Sequence, residues 1–249
     1  MFQKHHIKNK KMTIAFWIMR LIVIAELVSA LFLKNYLVAM QAVWILFLFM
    51  LPTLIERHMH IEFPTIMEVT LVCFVFAALF LGEIGEFYYR FPWWDIMLHT
   101  ISGFIIGVIG FSLIRLLNES EKVKISLSPL FVAIFTFTFA LGVGGLWEIF
   151  EFAADRIVGT NMQKYMMDEQ NIKLLSDTIM QANGNMQILT PIFKKICAFG
   201  LSDTMWDIIV DAVGAGVFSI LGYLYLIGKS KIDISKLLLK RREDRSNRN

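Results

Sequence analysis

Six mostly apolar stretches, at 12–33, 36–55, 65–89, 93–117, 127–157 and 203–227, leave this chain few ways to fold. About 20 apolar residues in a helix cross the hydrocarbon core of a bilayer. Inside that core each backbone N–H and C=O must find its partner within the helix itself. The pattern therefore predicts an all-α, polytopic membrane helix bundle of about six transmembrane helices. A chain that is 57% hydrophobic and 18% charged, with 22 Phe and 14 Met, is too apolar for an ordinary soluble domain. The first stretch follows a basic start, as a signal peptide would. It is too long for one and lacks a small-x-small cleavage site, so a retained helix is expected. The second stretch is hydrophobic on every side, whereas the others carry polar residues that should face the bundle. Arg20 and Glu26 stand six residues apart, share no helix face, and each needs its own partner.

Charge sets the expected orientation. An even number of spans returns both termini to one side, together with the loops at 56–64 and 115–126. That side holds 16 Lys and Arg, and the opposite side holds seven: Lys34, Arg90, Arg156, Lys164, Lys173, Lys194 and Lys195. The positive-inside rule places both termini in the cytoplasm. The basic ends, Lys4 to Lys11 and Lys229 to Arg248, then read as topology signals and contacts to anionic lipid, not as a nucleic-acid surface. Trp93, Trp94, Trp147 and Trp206 fall near the outer interface, as an aromatic belt would. Membrane lipids are the expected partners.

Residues 1–228 form one transmembrane domain with its core at 93–228, and 229–249 are expected to be a basic cytoplasmic tail, disordered from 241. One connection, 158–202, is long. Its polar residues alternate with Tyr165, Met166, Met167, Ile172, Leu174, Leu175, Ile179 and Met180, which suits one or two short helices on the outer membrane surface. Asn183-Gly184-Asn185 is the expected turn between them, and Pro191-Ile192-Phe193 leads back to the last span. The two cysteines offer no metal or disulfide spacing: Cys73 reads as a core filler and Cys197 as a lone surface thiol. His58-x-His60 reads as a solvated loop.

Four acidic or histidine-bearing helix ends gather on the outer side: Glu83 and Glu86; Asp95 and His99; Glu148, Glu151 and Asp155; Asp203, Asp207 and Asp211. An ionisable group in the membrane costs roughly 2.5–3.5 kcal/mol on insertion scales, which makes each a functional candidate by default. Asp95 and His99 are i,i+4, so the carboxylate can orient the imidazole. Glu148 and Glu151 are i,i+3, with Asp155 a turn further on. Asp203, Asp207 and Asp211 form an i,i+4,i+8 ladder about 12 Å long, with Asp203 also suited to an N-cap. So many carboxylates at close range either share protons or surround a cation. Oxygen-rich, sulfur-free ligands favour Ca²⁺, Mg²⁺ or Mn²⁺ over Zn²⁺. Gly103, Gly107 and Gly110, then Gly142, Gly144 and Gly145, then Gly214 and Gly216 would let the helices approach closely enough for His99, Glu148 and Asp207 to meet.

The run Trp94-Asp-Ile-Met-Leu-His99, the stretch Trp147-Glu-Ile-Phe-Glu151, and Ser202 to Asp211 followed by Gly214-Ala-Gly216 resemble VanZ-like membrane proteins. Within that group the arrangement is most similar to the YjdF-like proteins of the bacterial inner membrane, which have no agreed function. The resemblance covers about 95–222. It implies a helical core shared with lipid-processing enzymes, with His99 as acid/base, Glu148 and Glu151 as acid/base or metal ligands, and Asp207 and Asp211 as ligands or orienting groups. The chain departs from the VanZ pattern at Glu151, at Asp211 and in the longer 158–202 connection.

The expected activity is processing of a phospholipid or polyprenyl-phosphate head group at the outer leaflet. His99, Glu148, Glu151 and Asp95 are its catalytic set; Asp207, Asp211, Asp203 and Glu148 hold the cation; Glu83, Glu86, Arg90, Arg156 and Trp206 contact substrate. Non-catalytic binding of lipid, metal or an envelope partner stands as the alternative, and a small transporter or ion path as the second.

Overall fold

The computed structural model describes residues 10–118, 127–160, 162–163, 169–183 and 185–241. The basic residues Lys4, Lys8, Lys122, Lys124, Lys164, Arg242, Arg245 and Arg248 lie outside the described residues, as do Tyr165, Met166, Met167 and Gly184. The protein is an all-α polytopic membrane bundle. Among the described residues, six helices are long and apolar enough to cross a membrane. The chain runs α1 (Lys10–Phe32), α2 (Tyr36–Leu48), α3 (Leu51–Met59), the short strand β1 (Ile61–Glu62), α4 (Thr65–Val75), a π-helical continuation Phe76–Ile84, α5 (Phe87–Arg90), α6 (Trp94–Asn118), α7 (Pro129–Ile157), α8 (Glu169–Ala182), α9 (Met186–Leu226) and β2 (Lys240–Arg241). Large side chains that water would penalise, such as Trp17, Phe32, Trp44 and Ile157, point outward. On a soluble protein they would drive association; around a membrane bundle they meet lipid.

Several boundaries depart from the sequence expectation, each for a local reason. The second stretch breaks into α2 and α3, and Pro52 occupies the first turn of α3, where its missing N–H costs nothing. The third stretch ends at Ile84 instead of continuing to Tyr89: its last turns are π-helical, and Glu86 takes a left-handed conformation with φ 59°. The 158–202 connection contains α8, but the second part of it joins the last span. α9 runs unbroken through Pro191, capped by the Asn185 side chain accepting from the Gln187 N–H. Trp94, expected at the outer interface, is instead buried, donating its indole N–H to the Ala77 carbonyl at 3.3 Å, whereas Trp93, Trp147 and Trp206 are exposed. Cys73 is exposed on the lipid-facing surface of α4, not a core filler.

Two apolar cores divide the bundle. One joins α1, α2 and α4 through Val23, Ala42, Ile45, Phe49 and Val72. The other joins α6, α7 and α9 through Ile105, Val108, Phe111, Val132 and Phe218, with Phe218 meeting both Phe104 and Phe111 edge-on. The chain beyond 228 is more than a charged tail. Ile234, Leu238 and Leu239 are buried in this second core. β2 pairs antiparallel with β1, Ile61 opposite Arg241, and the Leu239 N–H donates to Ser112 Oγ at 3.1 Å. Apolar residues interleaved with the basic ones supply the reason: the segment has a face to bury. His58 and His60 are exposed, but not in a loop: His58 stands in the last turn of α3 and His60 is its left-handed C-cap.

Candidate functional site

At the end of the bundle away from β1 and β2, α6, α7 and α9 turn polar faces towards one another. Helical spacing fixes which side chains do so. Asp95, His99 and Ser102 fall on one face of α6; Glu148, Glu151 and Asp155 on one face of α7; Asp203, Asp207 and Asp211 on one face of α9. His99, Glu148, Glu151, Asp155, Asp207 and Asp211 are all buried. Glycines set the approach. A Cβ on Gly103 would strike the Asp211 carbonyl and one on Gly214 the Thr100 carbonyl, so α6 and α9 touch backbone to backbone. A Cβ on Gly144 would stand 2.5 Å from Asp211 Oδ2, so the α7 glycine makes room for a carboxylate of α9. Gly142 and Gly145 face open space and have no such role.

His99 is the centre. Its Nδ1 lies 3.5 Å from Asp211 Oδ2. The other oxygen of that carboxylate accepts from Ser102 Oγ at 2.5 Å. Ser102 also faces the His99 carbonyl at 2.8 Å. In the neutral ring, a proton on Nδ1 donated to Asp211 would leave the Nε2 lone pair available to a ligand. Nε2 lies 3.8 Å from Asp95 Oδ1 and 3.9 Å from Asp207 Oδ2, too far for hydrogen bonds. Ligand-capable atoms of Asp95, His99 and Asp207 all fall within 4.8 Å of one another. Donors bound to one ion at about 2.0–2.2 Å stand roughly 3–4.4 Å apart. The trio therefore suits a small divalent cation after a shift of a few tenths of an ångström. Asp211 would sit behind it as the carboxylate that orients a ligating histidine.

The remaining expected site residues divide. Glu151 accepts from the Trp147 indole N–H at 2.8 Å. Glu148 is 4% exposed, and neither of its oxygens has a hydrogen-bond partner among the described residues. The Thr204 hydroxyl beside it accepts from Gln163 Nε2 at 2.8 Å and lies outside bonding geometry to Glu148. Asp203 is half-buried at the rim and outside the trio. Glu83 and Glu86 are exposed, and Glu86 pairs with Arg90 at 3.2 Å on the surface. Trp206 is exposed towards lipid. Arg156 lays its guanidinium over the Phe152 ring, 5.4 Å from the centroid. Asp155 organises a turn, accepting from Thr160 Oγ1, Met162 N–H and Gln163 N–H at 2.6, 2.7 and 2.9 Å. Glu148, Arg156, Gln163 and Thr204, with Ile149, Phe152, Leu201 and Ile208, line a cavity of about 640 Å³ between α7 and α9.

Ser102, Gln163 and Tyr88 are the residues that sequence reasoning missed. Ser102 had a signal, being i+3 from His99 and i+7 from Asp95. Gln163 had none, since only the Asp155 turn brings it over α9. Tyr88, on α5, packs its ring against Gly82. Burial, then the charges of Asp95, Glu83, Glu151 and Asp207, push its phenol well above the usual tyrosine range, so it stays a proton donor at the edge of the acidic site.

Comparison with known proteins gives a family and little else. The family described as predicted membrane protein (DUF2238) matches residues 15–228. An uncharacterized protein of Thermotoga maritima is 25% identical over 128 residues, which cover 51% of this chain and 64% of that relative. The chain thus spans less than two thirds of the relative's length. No solved structure matches the chain.

Proposed function

The chain belongs to the DUF2238 family of predicted membrane proteins, and we propose that it holds a divalent cation between α6 and α9 and uses it to process a phosphorylated lipid head group. The family match favours the YjdF-like side of the sequence resemblance; the VanZ-like relation rests on the motif residues alone. The reading places the protein in the bacterial inner membrane, with both termini cytoplasmic, the site near the outer leaflet and residues 93–228 as the functional core.

One observation carries the proposal: His99 Nε2 stands between Asp95 and Asp207, at 3.8 and 3.9 Å, beyond hydrogen-bond distance of either, while Nδ1 faces Asp211. A histidine serving only as helix glue would place both ring nitrogens in hydrogen bonds. In this reading Asp95, His99 and Asp207 are the ligands, and Asp211, held by Ser102, orients the ring. The cation would neutralise a phosphate and polarise its ester. Glu151 would carry the proton, with Tyr88 as a neighbouring donor, and Glu148 would face substrate across the groove.

The test is thermal unfolding of detergent-purified protein in chelator and in Ca²⁺, Mg²⁺, Mn²⁺ and Zn²⁺, with Asp95→Asn and Asp207→Asn in parallel. A cation at about 100 times its Kd adds about 2.7 kcal/mol of stability. The expected result is a metal-specific rise absent from both variants. A rise that both variants keep, or none with any ion, overturns the cation site. Retained head-group turnover in a folded His99→Ala variant overturns the part given to the His99-held cation in the reaction.

A further inference from the structure

The groove between α7 and α9 has a chemistry of its own. Its deepest polar group is Glu148, a carboxylate 4% exposed whose two oxygens lack hydrogen-bond partners among the described residues. Leaving a buried carboxylate unpaired is costly, and the open side of this one is the cavity. At the rim stands Arg156, exposed and two helical turns further along α7. Arg side chains on a helix lean towards its N-terminus, and the contact with Phe152 shows that this one does. Its guanidinium therefore lies over the turn next to Glu148, roughly 6 Å along the axis instead of the 12 Å that eight residues span. Ile149, Phe152, Leu201 and Ile208 supply an apolar wall between and beside the two charges. The groove opens where the last turns of α7 meet the start of the last span, Gly200–Leu226.

A ligand for this groove needs a hydrogen-bonding cation to enter towards Glu148, an anion for Arg156 a short distance behind it, and an apolar body. We propose that the groove is the binding site of a phospholipid whose head group bears a primary ammonium, with the ammonium on Glu148 and the phosphate under Arg156. Phosphatidylethanolamine is the simplest such molecule. Thr204 and Gln163, already joined to each other at 2.8 Å, offer further polar contacts to the ester oxygens.

The proposal deepens the proposed function by naming its substrate class, yet binding itself needs no metal. The experiment is native mass spectrometry of the full chain in detergent with chelator present. Phosphatidylethanolamine, phosphatidylcholine and phosphatidylglycerol of identical acyl chains are offered in competition. We expect phosphatidylethanolamine adducts to dominate by about tenfold or more, because the N-methylated head group cannot donate to a carboxylate and the glycerol head group carries no cation. Glu148→Gln should erase the discrimination between amine and glycerol head groups. Arg156→Ala, a change at an exposed side chain, should weaken all three lipids while keeping their order. Equal binding of the three lipids, or discrimination that survives in Glu148→Gln with an unfolding transition like the parent's, overturns the site. Loss of the metal response with this preference intact would sink only the cation reading, and the reverse pattern only the lipid site.

Discussion

Ser102 decides what Asp211 can do. Its hydroxyl holds one carboxylate oxygen while His99 takes the other, and the whole group is 1% exposed. Without that hydroxyl a buried carboxylate loses a charge-assisted bond, at a cost of about 1–3 kcal/mol. Ser102→Ala should therefore lower the unfolding midpoint in detergent. It should also weaken cation binding by roughly 10–100-fold, as loss of a group that positions a metal ligand does. A lowered midpoint with unchanged cation affinity would reduce Ser102 to a structural residue. At this scale the sequence was informative about residue type and helix face. His99, Asp207 and Asp211 could be picked out because ionisable groups in apolar helices demand an explanation. Their places could not: the i,i+4,i+8 ladder treats Asp203, Asp207 and Asp211 alike, and only the position of the ring between α6 and α9 sets Asp207, the proposed ligand, apart from Asp211, which faces Nδ1.

Among the elements, the contact of α6 with α9 is the one the site depends on. Gly103 and Gly214 bring backbone carbonyls against Cα atoms, a packing that membrane helices reach through small residues. Gly214→Ala must push the helices apart at Thr100, one residue from His99. We expect a loss of about 1–3 kcal/mol, the usual cost of overpacking, with the cation response weakened as well. Gly142→Ala, which meets nothing within 4 Å, should leave both unchanged within about 0.5 kcal/mol. Thermal unfolding of the two variants side by side checks the contrast. The sequence marked all these glycines equally. Which of them are structural depends on the rotation of each helix about its axis, and rotation is set by the sum of packing contacts with the neighbours.

The two ends of the whole molecule are tied differently. The site end relies on polar groups and glycines. The opposite end is closed by the segment after 228, whose Ile234, Leu238 and Leu239 enter the core of α6, α7 and α9 while β2 pairs with β1. Glu56 fixes the same region by accepting from the Phe63 N–H at 2.7 Å. Leu238 is fully buried, and Leu238→Ala should cost about 2–5 kcal/mol. Ser112, which anchors Leu239, lies 13 residues from His99 on α6, or about 20 Å, so the variant should keep the parent's metal-induced rise above its own lowered baseline. Loss of that rise would mean that the two ends are coupled.

What the sequence determined by itself was the solvent and the class of fold. Apolar runs long enough to span a bilayer allow only helices there, because unpaired backbone has no water to turn to. Helical periodicity then assigned each carboxylate to a face. It did not determine that α9 continues through Pro191, that the third span closes in a π-helix, or that the charged end folds back into the core. Those outcomes rest on contacts between segments far apart in the chain. The same holds for the centre of the site: α6 and α9 deliver His99 and Asp211 from 112 positions apart, and only the close approach of glycine-bearing helices brings the polar faces of α6, α7 and α9 together, while Glu83 and Glu86 stay on the surface.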